Sequence, residues 1–407
     1  MNYLDNYHIL GKAMKDITDH SSVLGLDISK RYFHSKYSKY LSGNKNYKCD
    51  IHQQEFIESH SLYNDIGTIS EDVHINDSDV KENIDFPYYI IKPKSVEIAT
   101  KTIFLFHGFN EKTWDKYLTW AAYISENTGS AVVLFPIAFH MQRAPMKWSE
   151  RRDMFNLSEK RKKRFPNIVG SSLSNVAISM RLHAMPHRFI WSGIESYYDI
   201  INFVNLCKKG EVDCISKDSS FDFFAYSIGG FLAQILKLSN YNDYFTNSKV
   251  CLFCSGAVFN RLTPVSKMIL DSEALVSLYS YLVEHFESFL KKDAFLNHFM
   301  NGDHIEGTVF RSMFDYMKMR DYRERLLKSN SDCIYAITLK NDTVIPSVEI
   351  INTLKGAYRD IDIRVDELDF EFDYTHENPF PVKKVDASLV ELSYNTVFSK
   401  VCDFFNE

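Results

Sequence analysis

At 407 residues, with 45% hydrophobic and 25% charged content, the chain has the composition of a globular protein that can bury a large core, either as one big domain with insertions or as two to three smaller ones. A net charge of −6 gives no global attraction for nucleic acid, and the longest apolar run, AVVLFPIAF at 131–139, is too short and proline-broken to span a membrane. Seven scattered cysteines, an odd number, do not form a disulfide framework and fit reduced thiols in a cytoplasmic protein. The opening MNYLDNYHILGKAMKD has neither an unbroken apolar stretch nor a small-residue cleavage pattern, so no signal peptide is expected.

Residues 1–85 are polar and weakly periodic, with helix predicted at 8–18 and 27–41, and read as an N-terminal extension of unclear role. Legible structure starts at the apolar strand FPYYIIKP (86–93), stopped by Pro93, followed by KTIFLFHG (101–108). Such continuous apolar runs suit central strands of a parallel sheet, buried on both faces. A helix follows over 114–126, then the strand AVVLFP (131–136). An interruption at 137–189 precedes a helix near 190–208, the strand FDFFAY (221–226), the helix GFLAQILKLS (230–239) and the strand KVCLFCSG (249–256). A second, helical insertion spans 260–330, with Leu275, Leu278, Leu282, Phe286 and Leu290 at helical spacing. The chain closes with the strand DCIYAITL (332–339), a helix at 344–356, the strand DIRVDEL (362–368) and a last helix near 387–405. This alternation predicts an α/β domain over 86–407: a doubly wound, mostly parallel sheet of about eight strands. The insertions 137–189 and 260–330 should cap the carboxyl ends of its strands.

Within AYSIGG, Ser227 directly follows a predicted strand and directly precedes a predicted helix. A serine at such a junction is held in a strained turn, and its neighbours two before and two after must be small, as Ala225 and Gly229 are. A hydroxyl needs a base and an orienting acid to become a nucleophile. In this strand–turn–helix setting they follow in the order acid, then histidine, each in a loop after a strand. Asp342 in NDTVIP and His376 in THENP occupy those loops. Glu371, Asp373 and Glu377, on the histidine's own loop, are alternative acids less well placed to reach its Nδ1 side. Acyl transfer also needs donors for a developing oxyanion. Gly108 lets the loop turn so that the Phe109 N–H faces the site, and the Ile228 N–H, at a helix start, supplies a second donor.

HGFN, AYSIGG, NDTVIP and THENP together resemble the α/β-hydrolase superfamily over residues 86–407. The resemblance is to an uncharacterised branch with a helical cap, and without GxSxG or an HGGG loop it brings neither a lipase assignment nor a substrate. It implies a Ser227–His376–Asp342 triad with the Phe109 and Ile228 amides as oxyanion hole, and hence a serine esterase-like enzyme cleaving a small acyl substrate without cofactor or metal. A non-catalytic binding protein and an acyltransferase on the same scaffold are the alternatives.

Two metal-like spacings do not survive inspection. Cys251 and Cys254 fall in one strand, where residues three apart point to opposite faces. His183 and His187 lack the glutamate of a zinc-protease helix and are separated by Pro186. From Lys147 to Arg164 there are eight basic and three acidic residues, readable as a solvated face or as an anion-attracting lip over the site.

Overall fold

The structure, a computed structural model, describes residues 2–44, 46–57, 70, 73 and 75–407. Its strands are β1 (His20–Val23), β2 (Leu26–His34), β3 (Asn46–Cys49), β4 (Gln54–Ile57), β5 (Asp85–Pro93), β6 (Ala99–Phe106), β7 (Ala131–Leu134), β8 (Ile215–Tyr226), β9 (Val250–Phe253), β10 (Ile334–Leu339) and β11 (Arg364–Leu368). Nine of them form one sheet in the order β1-β2-β5-β7-β6-β8-β9-β10-β11, while β3 and β4 form a separate hairpin. The strands from β7 to β11 in that order are all parallel, and β5 runs antiparallel to its neighbours. Helices cover both faces, giving the α/β-hydrolase fold.

The continuous apolar strands place alternate residues on opposite faces. Phe104, Phe106, Phe223 and Ala225 join the core under helices Arg188–Lys208 and Gly229–Ser239. Ile103, Leu105, Phe224 and Tyr226 join the other core, under helices Tyr3–Asp16, Asp115–Thr128 and Ala387–Asn406. The strand order turns back between β7 and β8, on either side of β6. Crevices for ligands form at such a switch, beyond the carboxyl ends of the strands. Phe109, Ser227, Asp342 and His376 follow β6, β8, β10 and β11 respectively, so all four lie on that edge.

The N-terminal segment is built into the sheet. The helix predicted over 27–41 is instead β2, which pairs with β5 along its whole length, Leu26 opposite Pro93 through His34 opposite Asp85. Leu26, Ile28 and Phe33 are buried by that pairing, a tertiary gain that overrides weak local preference. The boundary expected at residue 85 thus falls between two hydrogen-bonded strands. In the second insertion, helix Ser272–Tyr279 runs into a π turn at Ser280–Glu284 before helix Phe286–Lys292, so the predicted apolar stripe is broken once. Cys254 lies one residue beyond β9 with φ +48°, which puts it in the same core as Cys251. Among the described residues no disulfide joins any cysteine, and no helix is long and apolar enough to cross a membrane.

The basic run forms helix Arg151–Arg164, whose cations are exposed apart from Arg161. Arg161 is fully buried and donates from Nε and Nη2 to the two carboxylate oxygens of Asp271, at 2.7 and 2.9 Å. Asp271 also accepts from the Ala274 N–H at 3.0 Å, so one side chain caps helix Ser272–Tyr279 and ties the two insertions together. Asp271→Asn keeps the cap but leaves a buried guanidinium uncompensated, which should cost about 3–5 kcal/mol in urea unfolding. Arg161→Met in that background should restore much of the loss; a neutral Asp271→Asn would contradict this account.

Candidate active site

β8 ends between β6 and β9, and helix Gly229–Ser239 starts three residues later. The chain bends within Ser227, whose φ of +57° lies in the left-handed region that non-glycine residues avoid. Hydrogen bonds from Ser227 N–H to the Phe253 carbonyl (3.3 Å) and from Ser255 Oγ to the Ser227 carbonyl (2.6 Å) hold that strain. Gly229 supplies the clearance: a Cβ there would stand 2.8 Å from the Phe106 carbonyl oxygen and 2.9 Å from that of His107.

The structure brings three of the predicted residues into one hydrogen-bonded chain. His376 Nε2 is 2.7 Å from Ser227 Oγ, and its Nδ1 is 2.7 Å from Asp342 Oδ2. All three side chains are buried. The other oxygen of Asp342 accepts from the Val344 and Ile345 N–H groups, both at 2.9 Å, which aims the carboxylate at the imidazole. Tyr226 stacks under the His376 ring, with centroids 5.3 Å apart and planes 18° apart. Of the alternative acids, Glu371 and Asp373 are exposed, and Glu377 Oε1 accepts instead from Ser266 Oγ at 2.8 Å.

Phe109 and Ile228 flank Ser227 in one apolar cavity, roofed by Leu262, Leu270 and Leu278 of the second insertion. Among the described residues neither the Phe109 nor the Ile228 N–H meets a protein acceptor. The Phe109 loop is held from both sides. Gly108 N–H donates to Tyr117 Oη at 2.8 Å, and Asn110 Nδ2 donates to the carbonyls of Ser174 and Met268, one from each insertion. Sequence reasoning overlooked His107 beneath the loop. It accepts from the Ile137 N–H at Nε2 (3.0 Å), so its Nδ1–H faces the Gly108 carbonyl at 2.8 Å and fixes the turn. His140 was overlooked too. Its Nδ1 is 2.8 Å from the Ala138 carbonyl, while its buried Nε2 has no partner among the described residues and borders two cavities that Phe109 also lines. Among the described residues, no cation of the basic run lines the cavity at Ser227. His183 and His187 serve structure, His183 facing Arg161 and His187 bonded through Nε2 to Ser42 Oγ at 2.8 Å.

Two predictions follow from these supports. Gly229→Ala should lose about 1–3 kcal/mol of stability, because Cβ meets backbone that cannot move aside. Its urea midpoint checks this, and an unchanged midpoint would remove the clearance argument. Burial lowers the His107 and His140 imidazoles from 6.5 to about 4 and about 3, so both are neutral when folded. The unfolded chain then binds more protons below pH 6.5, and stability falls as pH drops from there towards the folded values, by up to about 1.4 kcal/mol per pH unit for each group. Urea midpoints across that window should flatten in His107→Gln; the same slope in the variant would contradict the assignment.

The profile of the family described as "Family of unknown function (DUF6051)" matches residues 1–406. No curated protein matches. Solved structures similar in overall shape include esterase Est22, at 10% identity and TM-score 0.45, covering 99% of this chain and 84% of that one. The thermostable esterase from Pseudomonas putida ECU1011 has 10% identity and TM-score 0.42, covering 98% and 89%. Carboxyl esterase 2 from the mycorrhizal fungus Tuber melanosporum has 10% identity and TM-score 0.41, covering 78% and 81%. Likeness at this level is one of shape and carries no chemistry to this chain. The family match spans nearly every residue: the chain belongs to the family of unknown function DUF6051.

Proposed function

We propose that the protein is a serine hydrolase acting on a carboxylic ester or related acyl bond. The observation that carries this reading is the buried Ser227–His376–Asp342 chain, with both hydrogen-bond distances at 2.7 Å and the serine in a strained turn. Ser227 Oγ attacks the substrate carbonyl while His376 Nε2 takes its proton. Negative charge gathers on the carbonyl oxygen, where the Phe109 and Ile228 N–H groups receive it. The tetrahedral adduct collapses, His376 protonates the departing alcohol, and an acyl-Ser227 ester remains. Water then repeats the sequence, giving up a proton to His376 and releasing the acid and free Ser227. Asp342 keeps Nδ1 protonated and stabilises the imidazolium.

The insertions 137–189 and 260–330 act as the cap that excludes water, since Leu262, Leu270 and Phe189 close over Ser227. The apolar walls favour an acyl or aryl group of modest size. His140 Nε2 offers a buried acceptor to a substrate O–H or N–H beyond Phe109.

A fluorophosphonate probe should label the wild-type protein, and Ser227→Ala should abolish the labelling. Ester turnover should fall by on the order of 10⁴ or more in Ser227→Ala, and by about 10⁴ in Asp342→Asn, where the imidazole takes the wrong tautomer. Labelling that persists in Ser227→Ala would sink the assignment, and a folded wild-type protein that resists the probe would mark a binding protein. Product analysis with added alcohols or amines separates hydrolysis from acyl transfer.

A further inference from the structure

Away from the Ser227 site, Cys49, His52, His298 and His304 each bring one ligand atom within 4.8 Å of the others. Cys49 Sγ lies 3.5 Å from His52 Nδ1 and 3.3 Å from His304 Nε2. His298 Nε2 lies 3.3 Å from His52 Nδ1 and 3.2 Å from His304 Nε2. A tetrahedral zinc ion with bonds of about 2.0–2.1 Å to nitrogen and about 2.3 Å to sulfur has ligand–ligand edges of about 3.3 and 3.6 Å. Four of the six observed separations, at 3.2–3.5 Å, match, and the other two pairs, Cys49–His298 and His52–His304, lie within 4.8 Å and would close in on the ion. The three imidazole planes are also mutually near-perpendicular, at 84°, 85° and 86°.

Protonation makes the case independently of size. His298 Nδ1 faces Asp303 Oδ2 at 2.9 Å, and His304 Nδ1 faces Glu306 Oε1 at 2.7 Å and Tyr198 Oη at 3.0 Å. Carboxylates accept, so each Nδ1 carries the hydrogen and each Nε2 presents a lone pair. With both rings neutral, these two lone pairs 3.2 Å apart repel, and a cation bound between them relieves that repulsion. Carboxylate–histidine pairs of this kind orient the ligands of metal sites and raise their basicity. The His52 backbone N–H donates to Cys49 Sγ at 3.4 Å, which holds the sulfur beside the imidazoles.

We propose that these four residues bind one zinc ion, the Cys49 thiol losing its proton to solvent on binding. One thiolate with three imidazoles suits zinc by softness and geometry, and four protein ligands leave no open position, so the site is structural rather than catalytic. Cys49 and His52 belong to the β3–β4 hairpin, whereas His298 lies in helix Ala294–Met300 and His304 caps helix Ile305–Ser312. The ion therefore staples the N-terminal hairpin to the second insertion. Phe310 of the stapled helix walls the cavity that runs from Ile228 past His140, so zinc also steadies that wall. Sequence reading missed the site because its C-x-x-H half is separated by over two hundred residues from its H-x₅-H half.

The experiment measures metal in the purified full-length chain after one equivalent of Zn(II) and gel filtration. About one zinc per chain is expected in wild type and in Ser227→Ala, with at least a tenfold loss in Cys49→Ser. Co(II)-loaded wild type should show thiolate-to-cobalt charge transfer and strong tetrahedral visible bands, the charge transfer vanishing in Cys49→Ser. Chelator should lower the wild-type Tm and added zinc restore it. If Cys49→Ser does not fold, His52→Ala serves, since His52 is exposed, and it should bind zinc at least tenfold more weakly. Wild-type protein that retains no more metal than the variant, or a charge-transfer band unchanged in Cys49→Ser, would overturn the site. Because Ser227→Ala keeps its zinc, the result stands apart from the hydrolase reading.

Discussion

The bend at Ser227 depends on bare backbone. Strand β8 and helix Gly229–Ser239 share so little space with the end of β6 that position 229 touches the Phe106 and His107 carbonyls and has no room for a side chain. That contact allows the chain to turn within one residue at φ +57° and presents Ser227 Oγ on the carboxyl edge of the sheet. The same contact brings the β6 loop, with Phe109, against the start of the helix, so Phe109 and Ile228 line one cavity with Ser227. The strain is local, and its support is spread over the bonds from Ser227 to Phe253 and Ser255.

Polar groups do much of the joining elsewhere, and they are buried in sets. Arg161 pairs with Asp271 across the two insertions, and Arg143 donates to Asp199 and Asn83 beneath the sheet edge. Arg181 and Arg188 both face Asp77, a residue of the N-terminal segment. Such pairs add little net stability over apolar packing, but they make misplacement expensive. The N-terminal segment, the insertions and the sheet are therefore locked in one arrangement. The Cys49–His298 cluster repeats that logic with ligands in place of ion pairs.

The central sheet was readable from the chain because the ends of β6 and β8, with β9 and β10, are continuous apolar runs bounded by turn signals, which suit a two-sided core, although β8 starts at Ile215, before its apolar stretch. Ser227, Asp342 and His376 were readable for a related reason: each follows a recognisable strand, and strand ends on one edge of a parallel sheet must converge. β2 was not readable. LDISKRYFH has no decisive period, and only its nine-residue ladder to β5 makes it a strand. His107 and His140 were equally hidden, since neutral histidines under a loop leave no mark on local pattern.

Local order and apolar runs thus carried the layer architecture and the residues gathered on the sheet's carboxyl edge, because strand and helix periods are properties of neighbouring residues. The loop order already favoured Asp342 over Glu377, and the folded chain sets Asp342 2.7 Å from His376 Nδ1 while Glu377 accepts from Ser266. The path of residues 20–34 and the meeting of Cys49 and His52 with His298 and His304 also depended on distant partners. Those features are set by contacts between segments tens to hundreds of residues apart, whose energies no local window contains.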